Sequence, residues 1–388
     1  MSRGLGDVYK RQLLYGVTGS GKTQVYLKLI DKALENDRDV IVLVPEISLT
    51  PQVLSIFHAR YGDKVAVFHS GLSLGERNDE YKRADRGEAK IVIGTRSAVF
   101  APLHNLGLII MDEEQENTYK SERTPKYNTK DVAHFRCKYN KALFLMTSAT
   151  PSLETYSNAL KGKYVLCELN ERFGDAKLPH VITVDMKQEM KNGNKSPISS
   201  KLKELISETI DNGKQAILLI NRRGYNTFIA CNDCGHVITC PNCSISLTYH
   251  STNNRLTCHY CGYTKSLDNV CPECHSENIR YSGYGTQKIE DELSYLFPNA
   301  RILRMDADTT SAKFSHEKLF NAFANHEYDI MIGTQMVAKG LDFDNVTLVG
   351  VVNADNSLYD ESYNSAERCF DLITPVSYTH LRAHETLA

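Results

Sequence analysis

The chain has 388 residues, of which 41% are hydrophobic and 24% charged, and its formal net charge is −2 at pH 7. This length predicts two or more domains at roughly 150 residues per domain, and the composition is typical of a globular protein. The sequence has no run near the ~20 apolar residues of a membrane span and no apolar signal-peptide core, so we expect a cytoplasmic protein with no membrane partner. Because the net charge is small, any contact with nucleic acid requires a local basic patch.

The first motif is a glycine-rich octapeptide, Gly16–Thr23, which follows the apolar run Leu13–Tyr15 and opens a helical pattern. It fits the P-loop pattern G-x-x-x-x-G-K-[ST], in which backbone N–H groups surround phosphate oxygens. Lys22 is predicted to reach the β- and γ-phosphates, and the Thr23 hydroxyl to hold Mg²⁺. The alternative is a chance glycine-rich turn before a helix. The predicted phosphate-binding residues are Gly16, Thr18, Gly19, Ser20, Gly21, Lys22 and Thr23.

Short β-branched runs alternate with helical patterns from Leu13 to about Asn170, which predicts a parallel α/β sheet. Ligand-binding loops of such sheets follow the carboxyl ends of the strands. The predicted strands are Val40–Val44, Val65–Phe68, Ile91–Ile93, Leu108–Met111 and Leu143–Thr147, and the predicted helices include Gln24–Glu35 and Leu74–Arg86.

An acidic sequence, Asp112-Glu113-Glu114-Gln115, follows the apolar run Leu106–Met111. A strand that ends in an aspartate is what an NTPase needs to reach Mg²⁺ from the side opposite the P-loop. Asp112 is therefore predicted to hold Mg²⁺, and Glu113 to orient and deprotonate the attacking water. Such acidic runs are usually solvated loops, but the upstream P-loop favours a site that binds a nucleoside triphosphate.

A second α/β pattern begins after a linker rich in Lys, Asn and Gly near 187–196. Two tandem lobes favour a nucleotide site closed between them. The predicted elements are helix Ser199–Asn212, strand Gln215–Ile220, strand Arg301–Leu303, helix Phe314–Asn325, strand Asp329–Ile332 and strand Val346–Val352.

The second pattern is interrupted between residues 231 and 274 by four C-x-x-C pairs. Two such pairs complete a tetrahedral Cys₄ zinc site, so the eight thiols predict two structural Zn²⁺ ions. We favour a nested arrangement in which the outer two pairs share one zinc and the inner two pairs share the other. Sequential pairing and an iron–sulfur cluster are the alternatives. The predicted ligands are Cys231, Cys234, Cys271 and Cys274 for one zinc, and Cys240, Cys243, Cys258 and Cys261 for the other.

The order of these motifs resembles the PriA family of bacterial replication-restart helicases (primosomal protein N′), which belongs to superfamily 2. The resemblance runs from Leu13 to about Thr374 and implies two tandem RecA-like P-loop NTPase lobes, with a double-zinc insertion in the second. Motif II of the family is usually D-E-E-H, and here Gln115 replaces the histidine. An amide still donates and accepts hydrogen bonds, so we expect Gln115 to alter ATPase coupling rather than abolish it. The other similar segments are 43–50, 69–71, 94–98, 148–151, 221–225 and 333–343.

The resemblance also implies a DNA-binding surface around an aromatic-rich loop at residues 119–127. Its tyrosines would stack on bases, and its basic residues would meet phosphates. In the second lobe, Gly340 and Asp342 would contribute to nucleotide binding, and Asp342 would help to link DNA contact to the ATP site. The implied DNA-binding residues are Arg96, Tyr119, Lys120, Arg123, Lys126, Tyr127, Arg222 and Lys339.

Both ends of the chain depart from the family pattern, and we expect residues 1–12 and 375–388 to lie outside the fold. The segment 375–388 does not match the motif VI that supplies the family's arginine finger, so we expect ATP hydrolysis to be impaired. The predicted boundaries are 13–178 for the first lobe, 179–228 and 280–374 for the second, and 229–279 for the zinc insertion.

The resemblance implies an ATP-dependent DNA helicase of the primosome that loads the replication machinery at stalled or repaired forks. ATP, Mg²⁺ and two Zn²⁺ would be its cofactors. Forked or single-stranded DNA, primosome proteins and single-strand DNA-binding protein would be its partners in the nucleoid. Two other functions stay open: a zinc-stabilised platform that binds DNA or protein, and a double-stranded DNA translocase that does not unwind.

Overall fold

The computed structural model describes residues 11–45, 51–122, 124–172, 180–194, 196–220, 227–231, 233–250, 255–258, 261–266, 270–277, 279–281, 286–305, 315–334, 343–359, 362–379 and 386–387. The chain divides into two compact units, Met1–Lys177 and Leu178–Ala388. Within the described ranges, every helix is too short or too polar to cross a lipid bilayer.

The first unit is a seven-stranded sheet with helices on both faces. Its strands are β1 (Arg11–Gly16), β2 (Asp39–Leu43), β3 (Val65–Phe68), β4 (Ile91–Gly94), β5 (Leu106–Met111), β6 (Leu143–Ser148) and β7 (Val165–Leu169). Its α-helices are α1 (Lys22–Glu35), α2 (Pro51–Tyr61), α3 (Leu74–Asp85), α4 (Thr129–Asn140) and α5 (Leu153–Leu160).

All strands of this sheet run parallel, in the order β3-β4-β2-β5-β6-β1-β7. β6 therefore lies between β5 and β1, and Tyr15 of β1 is in register with Ser148 of β6. Because parallel strands end at the same edge, the P-loop, the acidic sequence after Met111 and the segment after Ser148 share one edge of the sheet. Ligand sites of open α/β sheets lie at this edge.

Alternate residues of the buried strands face opposite layers of core. In β2, Val40 and Val42 pack in the layer that contains Ile30 of α1, whereas Ile41 and Leu43 pack in the layer of α4. Strands buried on both faces read as continuous apolar runs, which is why these strands could be predicted. The edge strand β7 was missed because its side chains are only partly buried.

The second unit combines a parallel sheet with an antiparallel cysteine-rich sheet. Its strands are β8 (Val181–Ile182), β9 (Gln215–Ile220), β10 (Thr227–Cys231), β11 (Thr248–His250), β12 (Arg255–Thr257), β13 (Thr264–Ser266), β14 (Ile279–Tyr281), β15 (Ile302–Met305), β16 (Ile330–Gly333), β17 (Val346–Val352) and β18 (Thr386–Leu387). Its α-helices are α6 (Met186–Lys191), α7 (Ser200–Asp211), α8 (Thr286–Leu296), α9 (Ser315–Ala324) and α10 (Ser365–Thr379).

The parallel sheet has the order β15-β16-β9-β17-β18-β8, and its two faces are covered by different helices. α7 and α8 bury apolar side chains such as Leu205 and Leu293 on one face, and Phe323 of α9 and Leu372 of α10 pack on the other. The five short strands β13-β12-β11-β10-β14 form the antiparallel sheet that carries the cysteine pairs.

The ends of the described fold differ from the expectation. β1 begins at Arg11 and includes Gln12, where we expected the sheet to begin at Leu13. α10 continues to Thr379, and β18 pairs with β17 and β8. Parts of both segments that we expected outside the fold therefore take part in secondary structure.

Candidate nucleotide site and metal centres

The P-loop joins β1 to α1 and forms an open cradle at the helix start. Gly19 and Gly21 have φ of 78° and 86°, in the left-handed region that favours glycine. A Cβ built at either position would meet no atom within 4 Å, so the space beside the loop is open. Ser20 Oγ is buried and has no hydrogen-bond partner among the described residues. An open helix N-terminus and a buried hydroxyl fit a phosphate group.

Lys22 lies across this loop. Its Nζ donates to the Gly16 carbonyl at 2.5 Å and to the Val17 carbonyl at 3.2 Å. Burial lowers the pKa of Lys22, and the charges of Glu113 and Asp112 oppose that shift. The ammonium is therefore close enough to both carboxylates for their charges to act on it, as a shared site for Mg²⁺ and a triphosphate requires. Thr23, the predicted Mg²⁺ ligand of the loop, is exposed.

Asp112 follows β5 and is fixed by the neighbouring strands. Its backbone N–H donates to the Leu43 carbonyl at 2.9 Å, and its Oδ1 accepts a hydrogen bond from Thr147 Oγ1. Burial raises the pKa of Asp112, against the opposing effects of the Thr147 hydroxyl and the Lys22 charge. A cation beside this carboxylate would favour its ionised form.

Gln115 connects the acidic sequence to the segment after β6. Its Nε2 donates to Glu113 Oε2 at 2.6 Å and to Thr150 Oγ1 at 3.3 Å, while its Oε1 accepts from Ser148 Oγ at 2.7 Å. The amide uses both its donor and its acceptor, which is the capacity expected when glutamine replaces the family's histidine. Gln115 therefore joins the predicted catalytic carboxylate to the segment 148–151.

Tyr119 is buried, with 3% of its surface exposed. Its hydroxyl donates to the Asp112 carbonyl at 2.7 Å and to the Leu43 carbonyl at 3.0 Å, and burial raises its pKa well above the usual value. The prediction that Tyr119 stacks on a base is therefore wrong. The ring packs in the core beneath the site instead of facing solvent.

The remaining described residues of the predicted DNA surface lie at or near the protein surface. Lys120 and Lys126 are exposed, and the half-buried ring of Tyr127 contacts Phe100 edge-on with centroids 5.0 Å apart. Phe100 is 53% exposed and was not predicted, although it lies only two residues after the segment 94–98. Arg96 lies against the same loop, with long contacts from Nη1 to the carbonyls of Thr118 at 3.4 Å and Lys120 at 3.5 Å. Aromatic and basic groups therefore share one surface.

Several predicted residues lie outside the described part of the chain. They are Arg123, Arg222, Lys339, Gly340 and Asp342, together with residues 46–50, the whole segment 221–225 and most of the segment 333–343. Their predicted roles remain predictions.

The eight cysteines form the nested arrangement. One group contains Cys231, Cys234, Cys271 and Cys274, and the other contains Cys240, Cys243, Cys258 and Cys261. Within each group all Sγ atoms lie within 4.8 Å of one another, and the Cys231–Cys274 and Cys240–Cys261 pairs are 3.5 and 3.6 Å apart. Tetrahedral zinc with Zn–S of about 2.3 Å places its sulfurs about 3.8 Å apart, so both groups fit Zn²⁺. These distances are far too long for disulfides.

All four cysteine pairs share one backbone geometry. The residue after the second cysteine has positive φ in each pair: 72° at Gly235, 58° at Ser244, 74° at Gly262 and 58° at His275. Its N–H donates to the carbonyl of the first cysteine at 2.8–3.0 Å. Glycine tolerates positive φ, so Gly235 and Gly262 suit this position. Ser244 and His275 give no such signal, because non-glycine residues rarely adopt this conformation.

Three family models match successive parts of the chain, and the first two contain the nucleotide site and part of the cysteine groups. The DEAD/DEAH box helicase model matches residues 6–159, the PriA DNA helicase Cys-rich region domain matches 240–265, and the helicase conserved C-terminal domain matches 279–370. The chain is 52% identical over 371 residues to the replication restart protein PriA of Bacillus subtilis strain 168, covering 96% of this chain and 46% of that protein. The chain belongs to the PriA helicase family.

A second relative supports the same assignment. PriA of Synechocystis sp. PCC 6803 is 46% identical over 380 residues, covering 95% of this chain and 46% of the relative. The chain spans about half the length of the curated relatives it matches. The family and the two predicted RecA-like lobes with a cysteine-rich insertion are thereby confirmed.

Solved helicase structures show the same fold. The DUF1998 helicase MrfA bound to DNA is 15% identical to this chain, with a TM-score of 0.56. The superposition includes 98% of this chain and 43% of the MrfA chain. Mss116p bound to single-stranded RNA and AMP-PNP is 14% identical to this chain, with a TM-score of 0.54. The superposition includes 97% of this chain and 66% of the Mss116p chain.

Proposed function

We propose that this chain is the motor portion of an ATP-dependent DNA helicase that acts in replication restart. The observation that carries the proposal is the edge shared by β1, β5 and β6, where Lys22 lies within the electrostatic influence of Asp112 and Glu113. A triphosphate cradle and a strand-borne carboxylate on one edge are the two parts that an NTPase requires. Membership of the PriA family supports DNA as the polymer on which the motor acts.

In the proposed reaction, the P-loop N–H groups and Lys22 bind the β- and γ-phosphates of ATP. Thr23 and Asp112 would hold Mg²⁺, which neutralises charge on the phosphates when bound. Glu113 orients a water molecule and accepts its proton as the water oxygen bonds to the γ-phosphorus. The bond to the bridging oxygen breaks, and ADP and phosphate leave. Gln115 couples Glu113 to the segment 148–151.

Single-stranded or forked DNA is the proposed substrate of the surface formed by Arg96, Phe100, Lys120, Lys126 and Tyr127. Rings that stack on any base and cations that meet phosphates give binding without sequence preference. The two zinc ions stabilise the cysteine-rich sheet and take no part in the chemistry, because four thiolates saturate each site. Primosome proteins and single-strand DNA-binding protein are proposed partners in the cytoplasmic nucleoid.

The test is strand displacement by the full-length protein that carries this sequence. Lys22→Ala is expected to abolish ATP-dependent unwinding and to leave DNA binding intact, because Lys22 belongs to the proposed nucleotide site and not to the proposed DNA surface. Binding of a forked oligonucleotide is measured in parallel by fluorescence anisotropy. Unwinding that survives Lys22→Ala would contradict the motor function and favour a zinc-stabilised binding platform.

A further inference from the structure

The backbone at Glu113 adopts an uncommon conformation. Its φ is 49°, in the left-handed region that residues with a Cβ occupy rarely. Conformations of this kind persist only where the surroundings hold the chain on both sides. Neighbouring residues must therefore hold the backbone of Glu113, the proposed general base, in this conformation.

The side before Glu113 is fixed at Asp112. The Asp112 N–H donates to the Leu43 carbonyl, its carbonyl accepts from the Tyr119 hydroxyl, and its carboxylate accepts from Thr147. These bonds join the residue to the ends of β2 and β6 and to the core beneath them.

The side after Glu113 is fixed at Glu114, whose side chain is fully buried. The Glu114 N–H donates to the Thr147 carbonyl at 3.1 Å. Its carboxylate accepts from the Ser152 N–H at 2.8 Å, from Ser152 Oγ at 3.0 Å and from Thr155 Oγ1 at 3.0 Å. Ser152 is the N-cap residue of α5 and Thr155 lies in its first turn, so this carboxylate also helps to cap that helix.

Lys130 supplies the only cation that contacts Glu114 among the described residues. It lies in the first turn of α4, and its Nζ forms an ion pair with Glu114 Oε2 and donates to Thr155 Oγ1 at 2.9 Å. A carboxylate buried in the interior is stabilised by a counter-charge and by hydrogen bonds. Glu114 has both, and Lys130 provides the counter-charge.

We infer that Lys130 is a positioning residue for ATP hydrolysis, acting through its ion pair with buried Glu114 to hold Glu113 in the left-handed conformation. The inference rests on the proposed function, since it assigns Glu113 the role of base. Without Lys130, the Glu114 carboxylate is buried without a counter-charge and is expected to turn towards solvent. That movement releases the anchor that follows Glu113, and the Glu113 carboxylate leaves its place. Nucleotide binding is unaffected, because Lys130 lies outside the P-loop.

The test compares ATP hydrolysis with Mg·ATP binding in the full-length protein that carries this sequence. Lys130→Met is expected to lower the single-turnover rate of ATP hydrolysis about 10- to 100-fold, the range expected when a catalytic group is displaced by about 1 Å. The dissociation constant for Mg·ATP should not change. Adding Glu114→Gln to Lys130→Met removes the unpaired charge while an amide oxygen still accepts from Ser152 and Thr155, so most of the rate should return.

Three further variants separate positioning from folding. Lys130→Arg keeps the charge and should retain hydrolysis, and Lys138→Met removes an exposed lysine from the same helix and should change nothing. Thr155→Val keeps both charges and removes one hydroxyl from the cluster, so the rate should fall less than with Lys130→Met. The inference is overturned if Lys130→Met leaves the rate unchanged, or if rate and affinity fall together.

A crystal structure of Lys130→Met tests the inference independently of activity. Glu113 is expected to relax to negative φ, and a Glu113 that stays left-handed would overturn the inference. If instead the unsubstituted chain does not bind Mg·ATP, the proposed function fails, and this structure still decides the role of Lys130.

Discussion

Tyr119 links the surface loop at residues 120–128 to the strand that carries Asp112. The loop is closed by the bridge between Lys120 and Asn128 and by the Ser121 N–H bond to the Tyr127 carbonyl. Tyr119 precedes this loop in the sequence and Lys130 follows it. Tyr119 contacts Asp112, before Glu113, and Lys130 contacts Glu114, after it. Two side chains therefore connect the ends of this loop to the acidic sequence.

Tyr119→Phe is expected to lower the free energy of unfolding of the first unit by about 1–2 kcal/mol. The substitution keeps the buried ring but leaves the Asp112 carbonyl without the hydroxyl that donates to it, and buried hydrogen bonds contribute about this much. Urea denaturation measures the change. Tyr127→Phe removes a hydroxyl from a half-buried ring and serves as the matched control. Equal stability of Tyr119→Phe and the unsubstituted chain would show that the hydroxyl does not brace the site.

Among the elements, the cysteine-rich sheet depends most on its metals. Its apolar core consists of a few residues, such as Ile229, Leu247 and Leu256, packed against buried cysteines. A core of this size cannot offset the conformational entropy of ordering the strands. The two zinc sites therefore supply most of the folding free energy of this sheet.

Cys243→Ser is expected to reduce the zinc content from two ions per chain to one and to unfold the inner part of the sheet. A structural zinc contributes on the order of 10 kcal/mol to such a domain, so its loss exceeds any stability the strands have alone. Mass spectrometry of the metal measures the content. Cys137→Ser, at an isolated buried cysteine of the first unit, should retain both ions. Two bound ions in Cys243→Ser would contradict the assignment of ligands.

Arg301 and Asp329, which directly precede β15 and β16, form an ion pair whose contribution to the free energy of unfolding depends on pH. Arg301 donates to Asp329 through its backbone N–H at 2.8 Å, Nε at 3.1 Å and Nη2 at 2.6 Å. The hydrogen bonds from Arg301 lower the pKa of Asp329 below its usual value. The stabilisation is therefore present above the pKa of the unfolded state, about 3.9, and is lost as the pH falls through the lower folded pKa.

Asp329→Asn should lower the free energy of unfolding at pH 7 by up to about 1 kcal/mol, the range for partly exposed pairs. The difference from the unsubstituted chain should shrink as the pH falls below 4, because both chains then carry an uncharged group at this position. Urea midpoints at several pH values provide the measurement. A difference that grows at low pH would contradict the sign of this linkage.

At the scale of the whole molecule, the strands and motifs could be predicted from sequence, and the contacts between them could not. β9 and β17 read as continuous apolar runs because both faces of their sheet are covered, and the P-loop pattern is local. Tyr119 is buried because its hydroxyl donates to carbonyls at the ends of β2 and β5, which are distant in sequence. The Lys130–Glu114 pair likewise joins residues on opposite sides of a loop. Cysteine spacing left the zinc pairing open until the antiparallel sheet brought the outer pairs together.

The central claim is that one edge of the first sheet binds Mg·ATP through Lys22. Calorimetric titration of the chain with a non-hydrolysable ATP analogue tests it most directly, with Lys22→Ala as the variant and Lys28→Ala, an exposed lysine of the same helix, as the control. We predict saturable binding of one nucleotide that requires Mg²⁺, is weakened at least about tenfold by Lys22→Ala and is unchanged by Lys28→Ala, since one charged hydrogen-bonding group contributes about 1.5–3 kcal/mol. Absence of saturable binding, or equal affinity in Lys22→Ala, would contradict the claim.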